Sequence, residues 1–184
     1  MSNLSHLNIN QSWSLFLDRD GVVNKKLDND YVKSTQEFDF IEGAQEAIQN
    51  FRSIFGRLLV VTNQQGIGKG IMTHDELHDV HNYMEEQLQV FDVKFDEIYY
   101  CPELAAENSP CRKPNIGMAL QAQQDFPEID FSKSILIGDF ITDIQMGKRA
   151  GMKTVFIHPE LNNPENADWV VKSLADFSKM LENR

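Results

Sequence analysis

Short apolar runs recur along this chain, and several of them stop abruptly at a polar cluster. Residues 13–17 (Trp-Ser-Leu-Phe-Leu) end at Asp18-Arg19-Asp20-Gly21. The run from Arg57 to Val61 ends at Thr62-Asn63-Gln64-Gln65-Gly66, and Ser134 to Ile137 ends at Gly138-Asp139. Glu97 to Tyr100, Lys153 to Ile157 and Trp169 to Val171 read as further strands. Between them the apolar spacing turns helical, as at Ala44, Ala47, Ile48, Phe51 and Ile54. Thr73 with Glu76 three residues on is a capping-box signature for a helix running to about Val90. Helices are also expected over Asn115 to Asp125 behind Pro114, over Ile141 to Ala150 up to Gly151, and after Ser173. Strands alternating with helices imply an α/β domain. Strands that are apolar throughout imply a central, mainly parallel sheet covered on both faces, a Rossmann-like three-layer sandwich. In such folds the ligand sits beyond the C-terminal strand ends, at the switch point. The clusters Asp18–Asp20, Thr62–Gln64 and Asp139–Asp143 should therefore meet at one edge of the sheet.

A length of 184 residues favours one domain with a real core, here a polar stretch over 1–12 followed by a domain over 13–184. No apolar run approaches the roughly 18–20 residues of a membrane span, and the opening residues lack a secretory pattern. A cytoplasmic protein is the expectation, with no membrane partner. The net charge of −11 argues against nucleic acid, which needs a basic surface. It leaves room for a small phosphorylated substrate gripped by a local group of Lys, Arg and metal. Two cysteines, Cys101 and Cys111, are too few for a disulfide scaffold of this size.

Each cluster has a chemistry. Residues i and i+2 of an extended loop point the same way, so the carboxylates of Asp18 and Asp20 repel unless a cation or a proton intervenes. Mg²⁺ takes carboxylate, water and phosphate oxygens and resolves that conflict. One carboxylate can attack phosphorus, and the other can protonate the leaving alcohol and then activate water. Alone, Asp-Gly is a common turn dipeptide. Thr62 and the N–H groups after it can grip phosphate oxygens, or simply cap a turn. Arg112-Lys113 can neutralise a transferring phosphoryl group, or form a surface basic pair. Of Asp139 and Asp143, one can bind the metal while the other orients a water or a lysine, or both can cap a helix. His74, His78 and His81 share one expected helix and read as a solvated face. The order and placement of the four clusters, each at a strand end or helix start, favour the catalytic reading.

That order resembles the haloacid dehalogenase (HAD) superfamily, from about Trp13 to Ile157. The matching motifs are Asp18-Arg19-Asp20-Gly21-Val22-Val23-Asn24, Val60-Val61-Thr62-Asn63-Gln64, Cys111-Arg112-Lys113-Pro114, and Gly138-Asp139 with Asp143. Their wording is most similar to the histidinol-phosphate and heptose-bisphosphate phosphatase branch. The resemblance implies Asp18 as nucleophile and metal ligand, and Asp20 as general acid/base whose carbonyl also touches Mg²⁺. It implies Asp139 as a further metal ligand with Asp143 behind it. Thr62 and Lys113 would stabilise the phosphoryl group, and Asn63, Gln64 and Arg112 would contact substrate. The stretch between Asn24 and Glu37 is too short for a cap domain, and the branch is likewise capless. Relatives in it often hold a structural zinc through Cys-x-His and Cys-x-Cys; the corresponding residues here are Cys101, Glu103, Ser109 and Cys111, so no zinc is expected. The reading is a monomeric Mg²⁺-dependent phosphatase of small phosphorylated sugars or alcohols. D-glycero-D-manno-heptose 1,7-bisphosphate is the leading substrate, with histidinol phosphate behind it. A non-catalytic binding domain would be expected to have lost Asp18 or Asp20.

Overall fold

A computed structural model of the chain describes Leu4, residues 7–163 and residues 166–183. Six strands form one sheet: β1 (Ser14–Leu17), β2 (Arg57–Asn63), β3 (Glu97–Cys101), β4 (Ser134–Gly138), β5 (Lys153–Ile157) and β6 (Trp169–Val171). Their order across the sheet is β3-β2-β1-β4-β5-β6, and every neighbouring pair is parallel. Among the described residues the α-helices are α1 (Ala44–Ile54), α2 (His74–Gln89), α3 (Gly117–Asp125), α4 (Ile141–Ala150) and α5 (Leu174–Glu182).

Side chains alternate across β1, so Leu15 and Leu17 enter one core and Phe16 the other. The first core joins the sheet to Ile48 and Phe51 of α1, Val80 and Met84 of α2, and Phe177 of α5. The second joins it to Met118 and Ala122 of α3 and Met146 of α4. All four residues of β1 are buried, which is why its sequence is apolar without alternation.

The helix ends follow the signals in the sequence. Thr73 Oγ1 accepts from the Glu76 N–H at 3.2 Å, and the Glu76 carboxylate accepts from the Thr73 N–H at 2.7 Å. Gly151 closes α4 at φ +82°. Only α3 begins later than expected, at Gly117 instead of Asn115. The Asn115 amide donates to Ser109 O at 2.9 Å, and the Gly117 N–H donates to Pro110 O, which ties the residues after Pro114 into the preceding loop.

Among the described residues no cap domain is inserted. The segment between β1 and α1 doubles back, bridging Asn24 to Phe40, and buries Val32 and Phe38 in the first core. Of the polar stretch over 1–12, residues 1–3, 5 and 6 lie outside the described residues. Leu4 and Ile9 are buried, and the Gln11 amide donates to Ser53 O at 2.9 Å.

β1 is central, so its truncation should be felt throughout. Leu15→Ala is expected to lower unfolding free energy by roughly 2–5 kcal/mol in urea titrations. A loss below about 1 kcal/mol would show that β1 is not at the centre of the core.

Candidate active site

The switch point of this sheet lies between β1 and β4, where connections leave in opposite directions. Asp18 follows β1 and Asp139 follows β4. The Asp18 N–H still donates to Ile137 O at 2.9 Å, so the ladder of the sheet fixes its backbone. The next turn is wound on one acceptor, Arg19 O, which takes the N–H groups of Val22, Val23 and Asn24. Gly21 has φ +88°, and a side chain there would collide with the Asp139 carboxylate. The two loops can approach only because Gly21 is bare.

Asp18, Asp139 and Asp143 each present an oxygen, and the three lie within 4.8 Å of one another. Lys113 enters from the loop before α3. Its ammonium lies 2.7 Å from Asp18 and 2.6 Å from Asp143, and donates to Val61 O at 2.9 Å. Lys26, half exposed, pairs with Asp139. Burial pushes the Asp18 carboxyl up to about 6, against the pull of Lys113. Burial raises Asp139 and Asp143 as well, although the opposing attraction of Lys113 is the next largest influence on Asp143. For Lys113 burial acts downward, yet Asp143 and Asp18 outweigh it and keep the ammonium charged. An all-carboxylate set with one buried lysine is short of positive charge. It is a donor set for a hard divalent cation such as Mg²⁺.

Asp20 faces a different company. Arg19 Nη2 donates to both of its oxygens at 2.9 Å, Asn24 to Oδ1 at 2.9 Å, and Gln64 to Oδ2 at 2.8 Å. Burial acts to raise the Asp20 carboxyl, but the Arg19 charge and these hydrogen bonds prevail and hold it below the usual range. In this position Asp20 is an ionised carboxylate.

A cavity of about 630 Å³ collects these groups. Asp18, Asp20, Thr62, Asn63, Arg112, Lys113, Asp139 and Asp143 all line it, so eight of the nine residues expected in the site meet. Gln64 is the exception. It is fully buried behind the cavity, where its amide nitrogen reaches Asp20 Oδ2 and, at 2.9 Å, Thr62 Oγ1. Its position makes it a support for Asp20, in place of the substrate contact expected. Asn63 clasps the Lys113 backbone, accepting its N–H at 3.0 Å and donating to its carbonyl at 3.3 Å. Arg112 donates to Glu103 O at 3.2 Å. A disulfide between Cys101 and Cys111 joins the end of β3 to this loop, a cross-link the sequence reading did not foresee.

Two residues escaped the sequence reading. Arg19 is fully buried, and His81 is 6% exposed and sits 3.0 Å from Arg19 Nη1. The sequence reads His81 as part of a solvated face, whereas the structure buries it. Its spacing from Leu77 and Met84, both buried on the same helix, was the available signal.

Residues 110–177 match the family described as HAD-hydrolase-like. Over 93% of its length the chain is 36% identical to the D-glycero-beta-D-manno-heptose-1,7-bisphosphate 7-phosphatase of Escherichia coli K12, covering 94% of that protein. It is 38% identical over 144 residues to the D-glycero-alpha-D-manno-heptose-1,7-bisphosphate 7-phosphatase of Campylobacter jejuni, covering 78% of this chain and 81% of that one. The fold is similar to the crystal structure of D,D-heptose 1.7-bisphosphate phosphatase from B. bronchiseptica complexed with magnesium and phosphate. That match has a TM-score of 0.83 and 27% identity, and covers 93% of this chain and 98% of the other.

Crowding of carboxylates predicts a trade between stability and metal binding. Asp139→Asn removes a charge that burial and Asp18 both disfavour. Without metal, its melting temperature is expected to rise by about 2–4 °C. Added Mg²⁺ should raise the wild-type melting temperature and leave the variant's nearly unchanged. Equal Mg²⁺ responses would remove Asp139 from the metal site.

Proposed function

The chain belongs to the HAD-like hydrolases, in their heptose-bisphosphate phosphatase branch, and on that premise we propose that it removes the 7-phosphate from D-glycero-D-manno-heptose 1,7-bisphosphate. It is a phosphatase, a phosphoric monoester hydrolase. The observation that carries the reading is the position of Asp18: at the end of β1, on the cavity wall, 2.7 Å from a buried lysine and inside a trio of carboxylates.

In the proposed mechanism an Asp18 oxygen attacks phosphorus, and the bond from phosphorus to the sugar oxygen breaks. The leaving alkoxide takes a proton from Asp20. The Asp20 carboxylate then accepts a proton from water as the water oxygen attacks the aspartyl-phosphate, which returns Asp18 and inorganic phosphate. Lys113 and the Thr62 hydroxyl hold phosphoryl oxygens through both steps. Phosphatases of this family use Mg²⁺; here Asp18 and Asp139 would hold it, with the Asp20 carbonyl and Asp143 in support, and it would neutralise phosphate charge. Asn63 acts by fixing Lys113, and Arg112 at the cavity mouth meets the rest of the substrate. The ionised, hydrogen-bonded Asp20 suits the second step. To serve as acid in the first it must take up a proton and leave part of its network.

A second reading, histidinol phosphate, draws on Phe140. Its ring lines the cavity at 60% exposure and offers an apolar face to a flat leaving group. A monomeric cytoplasmic enzyme without zinc completes the proposal. What supports the absence of zinc is that the two sulfurs available to it are joined to each other.

The test is a panel of both anomers of the heptose bisphosphate, histidinol phosphate and simple alkyl phosphates, with Mg²⁺. A heptose bisphosphate is expected to lead by about 100-fold or more in kcat/KM, and Asp18→Asn to lower kcat by about 10⁴-fold or more. Preference for histidinol phosphate would replace the substrate. Inactivity on every phosphomonoester would sink the reading.

A further inference from the structure

Arg19 brings a guanidinium into a site with no exposure at all. Its fork is turned on Asp20, with Nη2 at 2.9 Å from each oxygen and Nε at 3.3 Å from Oδ1. That leaves Nη1, and its partner is His81 Nε2 at 3.0 Å. A guanidinium has donors and no acceptor. The His81 Nε2 atom must therefore present its lone pair, which makes the ring neutral with its proton on Nδ1. Burial, with the Arg19 charge next, lowers the imidazole to about 3 and keeps it in that form.

The ring is held firmly. His81 lies on α2, whose start is set by the Thr73–Glu76 capping box. Tyr100 of β3 packs edge-on against it at 6.1 Å, and the Tyr100 hydroxyl meets His74 Nδ1 at 2.9 Å. A line of contacts thus runs from α2 through His81 and Arg19 to the carboxylate that handles protons. His81 is outside the cavity lining and touches no reacting group.

We propose that His81 is a positioning residue: by accepting from Arg19 it sets the plane of the guanidinium, and so aims the Asp20 carboxyl at the leaving-group oxygen. Without that acceptor a buried N–H is left unpaired. The guanidinium relieves this by turning, and its fork on Asp20 turns with it. The inference rests on the acid/base role assigned to Asp20 above.

The leaving group isolates this effect. An alkoxide needs a proton as it departs, whereas p-nitrophenolate leaves without one. His81→Leu is expected to lower kcat on an alkyl phosphate by about 10–100-fold, within the range that proton transfer contributes, with KM changed by less than about threefold. On p-nitrophenyl phosphate the loss should stay below about threefold in kcat/KM, which reports phosphoryl transfer to Asp18 and not the later hydrolysis common to both esters. His81→Gln keeps an acceptor near the position of Nε2 and is expected to restore the alkyl rate to within about threefold. Equal losses in kcat/KM on both esters, or no loss on either, would overturn the proposal.

A second measurement stands apart from turnover. Long-range ¹H–¹⁵N spectra of the wild-type protein at pH 7 should show His81 neutral, with Nε2 unprotonated. A charged ring or the opposite tautomer would overturn the proposal even if His81→Leu fails to fold. Wild-type inactivity on both esters would instead count against the phosphatase reading, leaving the spectra to decide whether His81 holds Arg19.

Discussion

Lys113 carries an ammonium into a place where its side chain is 2% exposed, between Asp18 and Asp143. Taking a charge out of water costs several kcal/mol unless partners meet it. The groups that meet it come from the neighbouring strand ends and from α4. Asn63 clasps the Lys113 backbone from the end of β2, and Val61 offers a carbonyl to the ammonium. β1 supplies Asp18, and the first turn of α4 supplies Asp143, whose other oxygen accepts the Phe140 N–H at 3.0 Å. One lysine thus ties together three strand ends. It leaves the carboxylates still in excess, and that excess is the attraction for a divalent cation.

Asp18 and Asp20 are two residues apart and opposite in character. Burial among like charges raises the first, while an arginine and two amides lower the second. Pairs of titratable groups whose surroundings push them apart are how one site runs nucleophilic and acid/base chemistry together. The separation is built by Arg19, the residue between them. It is fully buried, and its guanidinium meets both oxygens of the Asp20 carboxylate at 2.9 Å.

Much of this was legible. The apolar strands, the Thr73 box and the strand-end clusters are local signals, and β5, β6 and α4 fall where those signals put them. The start of α3 was not, because Asn115 is held by a loop folding back from Ser109, a contact no helix rule sees. Gln64 and His81 were misplaced for a related reason. Their residue types suggest solvent or substrate, but their spacing puts Gln64 beside Thr62 and His81 on the stripe of Leu77 and Met84. Pattern outweighed polarity at both positions, since each found a buried partner of matching hydrogen-bond sense. The Cys101–Cys111 bond joins a strand end to a loop, and no spacing rule anticipates it.

The absence of a cap among the described residues has a kinetic meaning. A lidded enzyme traps what it binds, so a poor substrate that enters can still be forced forward. Here the cavity stays open to solvent, and a ligand leaves as readily as it arrives. For the proposed phosphatase, commitment would be low, KM would approach a true dissociation constant, and release of phosphate would wait on no hinge. Under the proposed mechanism, discrimination would then be made in the transition state itself, by how well each leaving group meets Asp20. In the proposed mechanism water would reach the phosphorylated Asp18 freely, so the phosphoryl group would pass to solvent in preference to a second alcohol.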